Sequence, residues 1–101
     1  MAEGVSMGFS WEGKVTKRPD VMIREVAGES VLLNLETGIY LGLNASGTRM
    51  WHVLLAAPSI DTACGELMKK YAVDEPRLRQ DLETFVGQLL EHELIDVGNS
   101  S

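Results

Sequence analysis

Few residues of this chain are of a type and spacing that could do chemistry. His52 and His92 lie forty residues apart, with no HxxxH or CxxC pattern near either. A metal site needs three or four ligands at close spacing, so neither histidine predicts one. Cys64 is the only cysteine and falls on the apolar stripe of a helix, where a thiol packs as a small core side chain. A nucleophilic thiol would need a neighbouring base. Gly38, Gly42 and Gly47 are not followed by the GK[ST] that completes a phosphate loop. Asp74-Glu75 and the pair Glu91 and Glu93 suit a helix cap and a solvated helix face. The expectation is a chain with no catalytic residues, no metal and no cofactor.

The elements around these residues suggest binding instead. The chain has 101 residues, 45% hydrophobic and 24% charged, with a net charge of −6. That is enough for one domain with one core. Residues 1–13, with Gly4, Gly8 and Gly13, read as a flexible N-terminal arm, residues 14–97 as the domain and residues 98–101 as a disordered tail. The arm lacks a basic start and an apolar stretch, and no apolar run reaches the roughly 20 residues a bilayer requires, so a cytoplasmic location is expected.

Lys17 to Asp20 reads as a lead-in turn. Alternation from Val21 to Val26, a leucine-rich run with Val31 from Ser30 to Leu35, and Ile39 to Leu43 predict three strands joined by Gly-containing turns. Two consecutive hairpins make an antiparallel meander, which needs cover on one face. Three helices supply it. The first starts at an Asn44 cap and turns Met50, Trp51, Leu54 and Leu55 inward. The second starts at a Ser59 cap, and the third at an Asp74 cap with Pro76 in its first turn. Residues 94–97 read as a short tail. The fold class is α+β, in the order β-β-β-α-α-α.

Two features exceed what a core needs. The third strand, expected at a sheet edge, carries no lysine, proline or inward charge from Gly38 to Leu43, although such residues normally blunt an exposed edge. The third helix carries six large apolar residues (Leu78, Leu82, Phe85, Val86, Leu89 and Leu90), a face wide enough that part of it should line a groove.

The run Val31-Leu32-Leu33-Asn34-Leu35-Glu36-Thr37-Gly38-Ile39-Tyr40-Leu41-Gly42-Leu43-Asn44, followed by Gly47 and Trp51, resembles the PqqD family. So does Leu67, Tyr71 and Val73-Asp74 before a leucine-rich helix, and the likeness spans residues 19 to 97. It implies a winged-helix-like fold of three strands and three helices. It also implies a recognition element for ribosomally made, post-translationally modified peptides, in which the precursor's leader peptide joins the third strand against the third helix. The leader is then presented to a partner such as a radical-SAM enzyme or a leader protease. Ala45-Ser46-Gly47 departs from the Thr-Ala pattern of the PQQ-pathway members and looks more like relatives in lasso-peptide and other peptide clusters.

The candidate peptide-binding residues on this reading are Ile39, Tyr40, Leu41, Gly42, Arg77, Leu78, Asp81, Leu82 and Phe85. Either Ile39 and Leu41 or Tyr40 and Gly42 turn their backbone groups to the peptide, and the strand register decides which. The same edge could pair two copies of the chain. The alternative is a winged helix-turn-helix that binds DNA through Arg77 and Arg79. Against it, residues 58–101 hold four basic and nine acidic side chains, a charge near −5 that repels phosphates.

Overall fold

The computed structural model describes residues 9–98. The elements in chain order are β1 (Lys14–Lys17), β2 (Val21–Val26), β3 (Glu29–Asn34), β4 (Tyr40–Leu43), α1 (Ala45–Ala56), α2 (Ile60–Lys70), α3 (Glu75–Glu91) and β5 (Ile95–Gly98). The expected meander is there: β2, β3 and β4 form an antiparallel sheet in that order. Ala27 and Gly28, both at positive φ, make the two-residue turn between β2 and β3. Asn34, buried at the end of β3, builds the next turn: its Oδ1 accepts from the Glu36 and Thr37 N–H groups at 2.8 and 3.0 Å. Its Nδ2 donates to the Glu93 carbonyl at 2.7 Å, tying that turn to the end of α3.

Side chains alternate across this sheet. Val21, Leu32 and Leu43 are buried on the helix side, and Ile23 and Leu41 pack against the same core. Met22, Val31 and Tyr40 are exposed on the other side. The α1 helix closes the inner face with Trp51 and Leu54, and Thr48 hydrogen-bonds Ser30 of β3 at 2.7 Å in the interior. Two of the expected caps form: Asn44 accepts from the Gly47 N–H and Ser59 from the Thr62 N–H. The Asp74 side chain makes no capping bond, and Pro76, which has no N–H, leaves one donor fewer there to satisfy.

Two strands were not foreseen. The expected lead-in turn forms at Pro19 and Asp20, closed by the bond from the Val21 N–H to the Arg18 carbonyl, but Lys17 is the end of β1, and the expected tail at 94–97 becomes β5 after Leu94. They pair antiparallel, from Lys14 with Gly98 to Lys17 with Ile95. Val15 and Ile95 are buried there, and the Lys14 ammonium donates to the Leu55 carbonyl. Only glycine fits at position 13, since a Cβ would lie 2.5 Å from the Val97 side chain and 2.7 Å from the Gly98 carbonyl. Most of the expected arm and tail, residues 1–8 and 99–101, lies outside the described residues. Of the remainder, Phe9 and Trp11 pack against the core. The carbonyls of Gly13 and Trp11 accept from the Ile60 and Asp61 N–H groups, which lets this segment cap α2.

The wide apolar face of α3 goes mostly into this core. Leu78, Leu82, Phe85, Val86 and Leu89 are all buried, because α3 covers α2 on one side and β5 on the other.

Candidate functional site

The register of β4 decides which of its backbone groups are free. Ser30 faces Leu43, Val31 faces Gly42, Leu32 faces Leu41 and Leu33 faces Tyr40. The Asn34 N–H bonds the Ile39 carbonyl at 2.8 Å, so Asn34 and Ile39 are a hydrogen-bonded pair. Antiparallel pairs alternate, so Leu32 and Leu41 bond each other while Tyr40 and Gly42 turn their N–H and C=O groups away from β3. Of the two sets left open by the sequence, the outward one is Tyr40 and Gly42. No strand among the described residues pairs with this side of β4.

The side chains on this edge are as uncommitted as its backbone. Tyr40 is 68% and Ile39 39% exposed. Leu41 is half-buried against the core, and Gly42 is open, with nothing within 4 Å of the place a Cβ would take.

Beyond Leu43 the chain turns straight into α1, so Ser46 sits in the first helical turn beside the end of the strand. There a hollow of about 260 Å³ opens between α1, the end of α2 and the start of α3. Its apolar lining is Met50, Leu67, Tyr71, Val73 and Leu78, and Ser46, Arg49 and Asp81 are its polar lining. The Arg49 guanidinium stands 6.0 Å from the centre of the Tyr71 ring. A neighbouring hollow shares Val73, Leu78 and Asp81 and adds Asp74 and Arg77. Together they make a groove along the first turns of α3.

The structure therefore gathers Arg77, Leu78 and Asp81 into one groove and places Ile39, Tyr40 and Gly42 on the free edge. Leu82 and Phe85 are buried and are absent from the groove's lining, whereas Leu78, buried as well, lines it. At residue spacing alone they could not be told from Leu78, because all three share one helix face. Arg49, Met50, Tyr71 and Val73 also line the groove, although the sequence does not mark them as peptide-binding residues. Val73 carried the one usable signal, a large apolar residue just outside a helix, and it stays 45% exposed.

The other reactive side chains are committed elsewhere. Arg79 donates to Asp61 at 2.8 Å and to Glu75 at 3.0 Å, bonds that hold its pKa above the ordinary guanidinium value, and it lies 5.0 Å from the Trp11 ring centre. One of the two arginines on which DNA contact would depend is thus already engaged. His52 pairs with Glu25 at 2.8 Å, and the His92 ring meets the Gln88 carbonyl. Cys64 is buried, and that burial pushes its thiol pKa up, which suppresses the nucleophilic thiolate. Among the described residues no three His, Cys, Asp or Glu side chains are grouped to hold a metal ion, and no helix is long and apolar enough to cross a membrane.

The family model for coenzyme PQQ synthesis protein D (PqqD) matches residues 29–95. Among solved structures, TbiB1 in complex with the TbiA(beta) leader peptide is similar at 32% identity and a TM-score of 0.73, covering 84% of this chain and 98% of that one. Lasso peptide synthetase B1 complexed with the leader peptide is similar at 23% identity and a TM-score of 0.72, covering 82% and 98%. A search of curated proteins found no match.

Proposed function

This chain belongs to the PqqD family, and we propose that it is a non-catalytic module that captures the leader segment of a ribosomally made precursor peptide by strand addition. The observation that carries this reading is the free β4 edge, with Tyr40 and Gly42 facing outward, together with the groove at the start of α3, whose lining includes Ser46 just past the strand. A peptide laid along β4 would bond these outward groups and place alternate side chains toward the groove. The 32% identity to a chain solved in complex with a leader peptide supports leader binding by this chain.

On this reading Ile39, Tyr40 and Gly42 make the edge, and Leu41 holds it in register through its bonds to Leu32. Leu78 and Tyr71 receive an apolar leader side chain, while Arg49, Arg77 and Asp81 meet its charges. Leu82 and Phe85 act from beneath, by fixing α3. Residues 14–97 form the recognition domain. The bound leader is presented to a modifying enzyme or leader protease, in the cytoplasm where a ribosomal precursor is made.

The test is titration of the chain with a fluorescent synthetic TbiA(beta) leader peptide, with circular dichroism to show that each variant is folded. Saturable binding by the parent chain and its loss in Tyr40→Pro support strand addition. A folded Tyr40→Pro chain that binds like the parent excludes it.

A further inference from the structure

We propose that β4 also pairs with β4 of a second copy, antiparallel about a two-fold axis at Leu41, in a weak dimer that occupies the peptide's place. The pairing stands on the geometry of the edge; only the competition with a peptide rests on the function proposed above. The register of β4 fits such a pairing. Tyr40 and Gly42 point their backbone groups outward. Setting Leu41 opposite Leu41 of the second copy therefore makes Tyr40 and the second copy's Gly42 a hydrogen-bonded pair, and the reverse pair follows by symmetry.

Shape favours the same pairing. Tyr40 and Gly42 lie on the same outer face of the sheet. Tyr40 is largely exposed, and Gly42 has open space where its side chain would be. The pairing lays each Tyr40 ring over the glycine of the opposite copy, an arrangement that covers an otherwise bare strand position. Charge permits it as well. From Thr37 to Thr48 the chain carries no charged side chain, so nothing on the edge repels an identical edge. The net charge of −6 on each copy opposes approach at longer range, and salt screens that repulsion. Two strands of four residues bury little area, so the dimer is weak and a peptide can displace it.

Sedimentation velocity over a wide concentration range, at low and at high salt, reads the self-association. The expected result is a monomer–dimer equilibrium strengthened by salt and weakened about tenfold or more by Tyr40→Pro, which deletes one N–H from each of two symmetric pairs. Gly42→Val, which fills the space under the tyrosine, should weaken it as well. Because either variant could disturb the strand, a disulfide gives an independent reading. Leu41→Cys should cross-link under mild oxidation and Tyr40→Cys far less, with the parent chain, whose Cys64 is buried, as control. A chain that stays monomeric at every concentration and salt overturns the proposal, as does a dimer that neither Tyr40→Pro nor Gly42→Val weakens. Cross-linking of Tyr40→Cys as readily as Leu41→Cys overturns the register. Added TbiA(beta) leader should dissociate the dimer, and a leader that binds without dissociating it overturns the shared site. A dimer with the expected register in a chain that binds no leader supports the pairing and counts against the peptide reading alone.

Discussion

At the start of β2 the outward backbone groups are already engaged. The alternation set by the bond from the Leu35 N–H to the Asp20 carbonyl turns Val21, Ile23 and Glu25 away from β3. The Val21 N–H bonds the Arg18 carbonyl at 3.1 Å, and the Val21 carbonyl accepts from the Lys17 ammonium at 2.8 Å. Arg24 and the Glu25–His52 pair add charge to that strand. Along β4, at the opposite edge of the same sheet, Tyr40 and Gly42 have no such neighbours among the described residues of the sheet, and no charged side chain occurs in the sequence from Thr37 to Thr48. A lysine reaching back over a strand and charges along it are the usual means of blunting an edge. One edge of this sheet is dressed to stay single. The other is left able to accept a strand.

Four substitutions test that contrast. The largest effect should come from Trp51→Ala, which removes a fully buried aromatic from the helix supporting the sheet and so undermines both edges together. A loss of about 3–5 kcal/mol is expected, read from the denaturation midpoint. Leu41→Pro comes next. Its N–H faces β3, so proline should leave the Leu32 carbonyl unpaired and remove a packed side chain, costing about 3 kcal/mol by the same measurement.

Tyr40→Pro alters the outward side of the same strand and should spare the fold. Leader affinity should fall by about 1–3 kcal/mol in a calorimetric titration, as for one lost, desolvated hydrogen bond. Glu25→Pro is its counterpart on β2, because Glu25 also points its N–H outward. Leader affinity should stay unchanged, and stability should drop by less than about 1 kcal/mol as the exposed pair with His52 is lost. Equal effects of Tyr40→Pro and Glu25→Pro on binding would erase the distinction between the edges.

The edge was legible from composition because protective residues are recognised by type, and their absence from Gly38 to Leu43 needs no coordinates. Which backbone groups it offers was not. Tyr40 and Leu41 are neighbours of similar character, and their roles separate only once Asn34 bonds Ile39 and sets the alternation along β4. The groove was half legible. Arg77, Leu78 and Asp81 follow from the start of a helix, whereas Arg49 and Tyr71 arrive from two other helices.

By itself the sequence determined whatever depends on neighbours a few residues apart. The hairpin strands follow from two-residue alternation and the helices from their 3.6-residue stripe, with caps at Asn44 and Ser59. Lack of charge marked the edge. Tertiary structure alone decided what depends on residues far apart in the chain. It paired Lys14 with Gly98 across nearly the whole sequence and turned an apparent tail into β5. With β5 and α2 packed against it, α3 buries Leu82 and Phe85 and leaves Leu78 and Asp81 to the groove. The physical reason is range. Backbone geometry and side-chain period act along the chain, whereas burial belongs to whichever surfaces the folded chain brings together.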